Sequence, residues 1–342
     1  MDKNKSNWKD HLLKSGLPLE FEVKRFLDDK GCISNMERTY LRNNEAEIPT
    51  EFSYDIDSSY IKGHHFIDLM IECKYRHEST KWIFLPDDYN SVDDIAKTDF
   101  MHPFDHFNRQ KSGQLDFPLS FGPLCTKGVE LTSDGPNPKT ITQAVAQLSY
   151  AMAEKITSAI YHQTDSVLGQ HFNGTIFYNI PVIVTTAQLY RLREDIDIET
   201  IRLAENIEDV AINLPYLVMK AKPGTDLEMF NNRKFREFVI ETGVEDIKKQ
   251  LNSFNDDLWF VLSNIAEHKC PNSIVVINHS KDASGLIDFF KFIDRVIKPD
   301  QEIMDLIKKK EKEMKKFLDK FNPNKVKTEV TPSPVKNESE QL

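Results

Sequence analysis

The 342-residue sequence has little cysteine, and its four cysteines lie far apart. They are Cys32, Cys73, Cys125 and Cys270, and no Cys-x-x-Cys pair occurs among them. A zinc ribbon or a dense disulfide framework requires paired or clustered cysteines. The sequence therefore excludes these two classes of small fold and predicts reduced, structural cysteines.

Long apolar runs and phosphate-binding signatures are also missing. No apolar stretch approaches the roughly 20 residues that a membrane-spanning helix needs, and the first segment, MDKNKSNWKDHLLKSG, is polar, unlike a signal peptide. We therefore expect a cytoplasmic protein without a membrane contact. The sequence contains no Gly-rich phosphate loop, no Ser/His/Asp order and no dinucleotide-binding fingerprint, so nucleotide hydrolysis and acyl transfer have no support.

Acidic residues outnumber basic ones, 54 to 44, and one end of the chain is rich in lysine. The net charge of −10 would repel nucleic acid at long range unless basic residues gather on one surface. The segment KKKEKEMKKFLDKF is typical of an exposed helix, and the Pro-, Ser-, Lys- and Glu-rich remainder is typical of disordered chain. We expect a single α/β domain over 1–305, with an insertion at about 83–139, followed by this lysine-rich helix and disordered tail at 306–342.

The first elements are expected in the order helix, three strands, helix and strand. The segment GLPLEFEVKRFLDDKG has one apolar stripe and ends at a glycine, which predicts a helix. The segments CISNMERTYLRN, TEFSYDIDSSYIK and HFIDLMIECKY follow as three strands, and TITQAVAQLSYAMAEKITSAIYHQ has the spacing of an amphipathic helix. The next segment, IPVIVTTAQLY, predicts a buried strand that enters a helix.

The remaining elements extend this pattern. The segment from Trp82 to about Lys139 is rich in Asp, Pro, Phe and Gly, and we expect an irregular but ordered insertion or lid. LPYLVMKAK and SIVVINHS are typical of strands, with NNRKFREFVIETGVEDIKKQLNSF and SGLIDFFKFIDRVIK as helices around them. The whole pattern predicts an α/β fold, a mixed β-sheet flanked by helices, with a C-terminal α/β extension.

The third strand, within HFIDLMIECKYRHES at 65–79, carries a glutamate and a lysine in an apolar run. Alternate residues of a strand share a face, so Glu72 and Lys74 project together. Asp55 and Asp57 share a face of the preceding strand, and neighbouring strands lie ~4.8 Å apart, so an aspartate and Glu72 can converge on one ion. Phosphodiester hydrolysis needs this combination of carboxylates that hold Mg²⁺ and an ammonium that orients water.

At these residues the chain resembles the PD-(D/E)xK, or restriction-endonuclease-like, nuclease superfamily. Its core runs helix, three strands, helix, strand, with an Asp on the second strand and a Glu-x-Lys on the third, and IECK at 71–74 matches the latter. No proline precedes the aspartate here, and the sequence DID leaves the choice between Asp55 and Asp57 open. We prefer Asp55, because Ile56 follows it as in similar strands of the superfamily.

The first helix adds to the resemblance, which covers about half of the chain. LEFEVKRFLDDKG is similar to the pattern F-E-x-x-V-x-x-x-L-x-x-x-G of the Mrr-like and resolvase-like branch. By that similarity, Glu20 corresponds to the metal-site glutamate of this branch, with Glu22 as the alternative. A later helix contains Gln143, Gln147 and Tyr150, but their spacing differs from that of the Gln and Tyr helix of RecB-like nucleases, so no role is assigned to them.

The resemblance implies a metal-dependent nuclease that hydrolyses phosphodiester bonds of DNA, as an endonuclease rather than an exonuclease. Asp55, Glu72 and Glu20 would hold Mg²⁺ or Mn²⁺, and Lys74 would position the attacking water. Bacterial defence against foreign DNA is the expected role, with a second copy of the chain or a defence-system protein as partner. The alternative is a catalytically silent nucleic-acid-binding or assembly subunit with the same fold.

Four residues close to the Glu-x-Lys triplet are candidate contacts for a phosphate backbone. They are Lys62, Tyr75, Arg76 and Lys81. Ordinary solvated loop positions are the alternative for each of them.

Overall fold

The structure is a computed structural model. It describes residues 8–43, 49–87, 100–104, 106–107, 121–165, 171–172, 174–221, 224–251 and 257–320. The chain divides into two compact units, Met1–Lys298 and Pro299–Leu342. This division falls earlier than residue 305, where the sequence places the end of the domain. The expected disordered tail at 321–342 lies outside the described residues.

The described residues of both units contain helices. The first unit contains α1 (Trp8–Lys14), α2 (Leu17–Asp29), α3 (Lys139–Thr164), α4 (Ile198–Leu203), α5 (Thr225–Thr242), α6 (Val244–Gln250), α7 (Leu258–His268) and α8 (Ser284–Ile297). The second unit contains α9 (Gln301–Lys320), which confirms a helix in the lysine-rich segment. None of these described helices has the length and apolarity needed to cross a membrane.

Twelve strands of the described residues form one mixed sheet. They are β1 (Ile33–Asn43), β2 (Pro49–Lys62), β3 (His65–Lys74), β4 (Lys81–Pro86), β5 (Pro103–Phe104), β6 (Leu124–Thr132), β7 (Gly135–Asn137), β8 (Ile176–Thr185), β9 (Gln188–Leu192), β10 (Ala211–Leu214), β11 (Tyr216–Lys220) and β12 (Ser273–Asn278). Their order is β1-β2-β3-β8-β12-β11-β6-β4-β9-β10, with β5 paired to β8 and β7 to β6. The expected α/β class, a mixed sheet flanked by helices, is confirmed.

Strand β3 lies well inside this sheet. It pairs antiparallel with β2 on one side and parallel with β8 on the other. Its residues from Ile67 to Cys73 are all buried, and β8 is buried along its whole length. Strands covered on both faces have continuous apolar runs of this kind, so any charged side chain in β3 is largely removed from water.

Two helices pack close to β2 and β3, and local sequence explains both. Helix α2 buries Leu19, Val23 and Leu27 at intervals of four residues, as its apolar stripe predicts. It stops before Gly31, whose φ of 80° lies in the left-handed region that favours glycine. Helix α3 is tied to β2 by the side chain of Gln147, whose Nε2 donates to the Ser53 carbonyl oxygen at 3.1 Å.

Two local expectations are wrong. The segment 83–139 is not irregular throughout, because β6, β7 and most of β4 belong to it, and residues 188–192 form strand β9 rather than the start of a helix. Strand β4 pairs with both β6 and β9, and β9 also pairs with β10. These hydrogen bonds join residues far apart in sequence, so local patterns do not reveal them. Residues 88–99, 105 and 108–120 of the expected insertion lie outside the described residues.

Candidate active site

The Glu-x-Lys triplet forms a buried ion pair at the carboxyl end of β3. Lys74 Nζ donates a hydrogen bond to Glu72 Oε1. Glu72 is only 1% exposed, and within the described part of the chain its Oε2 has no hydrogen-bond partner. A buried carboxylate oxygen without a donor is costly. This oxygen is therefore available to a cation or to a proton.

Asp55 joins this pair. The backbone N–H of Cys73 donates to Asp55 Oδ2 at 2.6 Å, which holds the carboxylate against β3 at the residue between Glu72 and Lys74. The charges of Asp55 and Lys74 both act on Glu72. The arrangement places the two carboxylates and the ammonium group in one cluster.

Asp57, the alternative to Asp55, is engaged elsewhere. Its Oδ1 accepts a hydrogen bond from the Tyr54 hydroxyl at 2.7 Å and lies 2.6 Å from Lys155 Nζ of helix α3. A carboxylate paired with a lysine and hydrogen-bonded to a tyrosine is already compensated. Of the two aspartates on β2, Asp55 is thus the one that the structure brings to the Glu-x-Lys triplet.

Glu20 and Glu22 of α2 have different surroundings, as Asp55 and Asp57 do. The charges of Asp55 and Lys74 act on the pKa of Glu20, so its carboxyl group lies within electrostatic reach of the cluster. Glu22 has its Oε2 3.0 Å from His279 Nε2, and its side chain is 55% exposed. Residues two apart on a helix do not face the same direction, so only one of these glutamates can point to β3.

The pKa values of the carboxyl groups reflect an excess of negative charge in this cluster. Burial and the charge of Asp55 raise the pKa of Glu72 to about 7, although Lys74 lowers it. Burial raises the pKa of Asp55 despite the Cys73 N–H, and burial together with Asp55 raises the pKa of Glu20. One ammonium group does not balance three partly buried carboxylates, so a bound cation would relieve the repulsion.

The carboxyl groups of the cluster are chemically suited to bind a hard divalent cation. Carboxylate oxygens are the ligands that Mg²⁺ and Mn²⁺ prefer. Oε2 of Glu72 has no hydrogen-bond partner among the described residues, so it can serve as a metal ligand. Within the same described ranges, however, no group of three or more His, Cys, Asp or Glu side chains is placed to hold a metal ion. A metal bound by Glu20, Asp55 and Glu72 would therefore require these side chains to draw together.

Glu37, which no sequence pattern singled out, lies at the edge of the cluster. Glu37 on β1 falls between the residue pairs Met36–Ile56 and Arg38–Tyr54, which places it across from Asp55. Its backbone has a φ of 54°, in the left-handed region that is unusual for glutamate. The charge of Glu37 raises the pKa of both Glu20 and Asp55. The register of β1 on β2 would have been the signal for it.

Gln147 is a second residue without an assigned role that reaches the cluster. Lys74 Nζ donates to its Oε1 at 3.5 Å, while its Nε2 is held by the Ser53 carbonyl. The Tyr40 hydroxyl donates to the backbone oxygen of Gln147 at 2.7 Å. These contacts make Gln147 the link between Lys74 and helix α3.

The candidate phosphate contacts have different surroundings. Arg76 donates through Nε to Glu130 at 2.6 Å and through Nη2 to Thr140 at 3.1 Å, so its guanidinium serves a structural network. Lys62 is exposed, with its ammonium 5.2 Å from the centre of the Tyr60 ring. Phosphate binding by Lys62, Tyr75 and Lys81 stays a prediction.

Similarity to known proteins was sought at three levels. Comparisons of the chain with models of protein families, with curated proteins and with solved structures found no match.

Proposed function

We propose that this chain is a metal-dependent nuclease that hydrolyses phosphodiester bonds of DNA as an endonuclease. A role in bacterial defence, with a second copy or a defence-system protein as partner, is part of the same proposal. The observation that carries it is the meeting of Asp55 and Glu72 with Lys74 in one partly buried cluster, within electrostatic reach of Glu20. In such a cluster the carboxylates can bind a divalent cation, and the ammonium group can contact a water molecule or a phosphate.

The order of elements supports a restriction-endonuclease-like core in the first two hundred residues. Helix α2 is followed by the antiparallel strands β1, β2 and β3 and, after the intervening strands β4 to β7, by helix α3 and by β8, which is parallel to β3. The superfamily that the sequence resembles has this order, with its acidic residues on the second and third strands. Strands β4, β6, β9, β10, β11 and β12 extend the same sheet.

Each residue of the cluster has a separate part in the proposed reaction. Glu20, Asp55 and Glu72 would hold Mg²⁺ or Mn²⁺, which supplies activation of water and neutralisation of charge on the phosphate oxygens. Lys74 keeps its ammonium beside Glu72, where it can orient the attacking water. Gln147 restrains the position of Lys74.

A silent nucleic-acid-binding or assembly subunit is the second candidate. The observation that favours it is that the described residues hold no preformed group of three metal ligands. In that case the contact between Lys74 and Glu72 would be a structural ion pair inside the sheet, with no role in chemistry.

The decisive experiment measures cleavage and metal binding on the same variants. We expect the wild-type protein to cut plasmid or oligonucleotide DNA with Mg²⁺ or Mn²⁺ and to be inactive in EDTA. Lys74→Ala and Asp55→Asn should each lower the cleavage rate by about 100-fold or more, because each removes a group that acts in the transition state. Calorimetric titration with Mn²⁺ should show weaker binding to Asp55→Asn.

Glu22→Gln is the matched control, since Glu22 lies on the same helix as Glu20 but outside the cluster. Glu20→Gln should impair cleavage and Mn²⁺ binding, whereas Glu22→Gln should leave both unchanged. A wild-type protein that binds no Mn²⁺ and cuts no DNA would contradict the nuclease proposal and favour the silent subunit.

A further inference from the structure

An open groove of about 700 Å³ lies between α3, β6 and the start of α5. Its lining includes Lys127 of β6, Val145, Ser149 and Tyr150 of α3, and Leu227 of α5. We call it the α3 groove. Its volume is within the range of roughly 300–1,000 Å³ that is usual for small-molecule sites.

The α3 groove combines an apolar lining with an unused polar atom. Ser149 is 2% exposed, and in the described part of the chain its Oγ is buried without a hydrogen-bond partner. A buried hydroxyl normally finds a partner within the protein or in a ligand. The guanidinium of Arg42 and the ring of Phe230, which lie 3.6 Å and 5.1 Å from the centre of the Tyr150 ring, cover part of that ring. The groove therefore offers the remaining ring surface, aliphatic walls and one hydroxyl to a flat molecule with polar edges.

Positive charge borders this groove. The guanidinium of Arg42 lies 3.6 Å from the centre of the Tyr150 ring and 5.3 Å from that of Phe52. Lys127 lines the groove itself. Over the described ranges, no carboxylate forms an ion pair with Arg42 or Lys127. In a chain of net charge −10 these two cations are available for a negatively charged partner.

The α3 groove adjoins the acidic cluster. Gln147, which contacts Lys74, precedes Tyr150 by less than one turn of α3, a rise of ~4.5 Å along the helix axis. Strand β1 likewise runs from Glu37 at the cluster to Arg42 beside Tyr150. One chain of nucleotides can therefore reach both places.

We propose that the α3 groove binds an unpaired nucleotide of the DNA strand that occupies the acidic cluster. Tyr150 and the apolar walls would receive the base, and Arg42 and Lys127 would contact its phosphate. A base within a duplex is paired and stacked on both faces, so the groove would select single-stranded DNA or unpaired ends. The inference rests on the proposed function, because the groove has this meaning only beside a site that handles DNA.

The test measures DNA binding in EDTA, where cleavage plays no part. Fluorescence anisotropy would compare a single-stranded oligonucleotide with the blunt duplex of the same sequence. Tyr150→Ala should weaken binding of the single strand by about tenfold or more, the usual loss when a stacking aromatic is removed, and leave duplex binding unchanged. Tyr150→Phe should retain wild-type affinity, and Lys127→Ala should also weaken single-strand binding.

Tyr161→Ala is the matched control, because Tyr161 is an exposed tyrosine on the same helix, away from the groove. It should leave both affinities unchanged. Circular dichroism would check folding of each variant, and Tyr150→Leu would replace Tyr150→Ala if the alanine variant is unfolded. A single-strand affinity unaffected by loss of the ring overturns the proposal, as does an equal loss on single strand and duplex.

A mononucleotide competitor separates a DNA strand from a free nucleotide. Deoxyadenosine monophosphate that displaces the oligonucleotide at concentrations below those of the unlabelled oligonucleotide would make this a free-nucleotide site and overturn the proposal. The two proposals also fail separately. Tyr150-dependent binding in a protein that never cuts DNA would contradict the nuclease alone, and Tyr150-independent binding in an active nuclease would contradict the groove alone.

Discussion

Residues of the same type, two positions apart, have different surroundings in this protein. Asp57 is paired with Lys155, whereas Asp55 accepts the Cys73 N–H, lies beside Glu72 and forms no ion pair within the described part of the chain. Glu22 and Glu20 differ in the same way. A carboxylate that lacks a cation partner keeps its capacity to bind one, so it is the less compensated member of each pair that makes the site.

Glu72 predicts a pH dependence of stability in the metal-free protein. Its pKa is raised to about 7 in the folded state from 4.5, so between these values the folded state binds more protons than the unfolded state. Stability therefore falls as pH rises through this window. Relative to wild type, Glu72→Gln should gain up to about 3 kcal/mol of unfolding free energy between pH 4.5 and pH 8.

Urea denaturation at a series of pH values in EDTA measures this effect. Glu22→Gln is the control and should follow the wild-type curve. Parallel curves for wild type and Glu72→Gln over the whole range would show that Glu72 has an ordinary pKa.

At the scale of helices and strands, a second buried carboxylate, that of Glu130, joins β4 and β6, two strands that the sequence did not predict. Glu130 on β6 accepts hydrogen bonds from Arg76, which follows β3, from Trp82 Nε1 of β4 at 2.8 Å and from Thr140 Oγ1 of α3 at 2.9 Å. Asn137 of β7 also donates to it at 3.2 Å. Glu130 thus fixes the start of α3 against β3 and β4, and with it the position of Gln147.

We predict that Glu130→Ala destabilises the protein by about 3–5 kcal/mol, because it leaves the Arg76 guanidinium without its carboxylate. Burial would raise the pKa of Glu130, but the donors around it, first the Arg76 side chain, outweigh burial and lower the pKa. A lowered pKa confers stability that is present above the unfolded value of 4.5 and is lost as pH falls through the folded value.

Thermal or urea unfolding between pH 3 and pH 7 tests both statements. The difference between wild type and Glu130→Gln should be largest near neutral pH and should shrink in acid. Glu194→Gln is a suitable control, since the Glu194 side chain is 56% exposed and pairs only with Arg191 in the described structure. A constant difference at all pH values would contradict the assigned pKa direction.

For the molecule as a whole, charge limits how DNA can be held. The net charge of −10 opposes long-range attraction, and the cations beside the α3 groove and the cluster are few. We therefore predict a weak salt dependence of single-strand binding, with a slope of log K against log salt of about −1.5 to −2, as expected for two or three phosphate contacts. Anisotropy titrations at several salt concentrations give this slope. A much steeper slope would place the contact on a larger basic surface, such as the lysine-rich α9.

The fold was predictable where the signal is local. The apolar stripe of Leu19, Val23 and Leu27 and the glycine at 31 define α2 from the sequence, and the apolar run around Glu72 defines β3. Strand β9 and the pairing of β4 with β6 were not predictable, because hydrogen bonds to distant residues stabilise these short strands. The roles of Glu37 and Arg42 on β1 could not be predicted for the same reason, because their neighbours come from β2 and α3.

The sequence by itself determined that Glu72 and Lys74 share one face of a buried strand, since the alternation of side chains along a strand is a local property of the backbone. Only the tertiary structure decided that Asp55 and Glu20 join them, while Asp57 and Glu22 bind Lys155 and His279. The same holds for the approach of Arg42 to Tyr150. These choices depend on which distant side chains burial brings together, and no local periodicity encodes that.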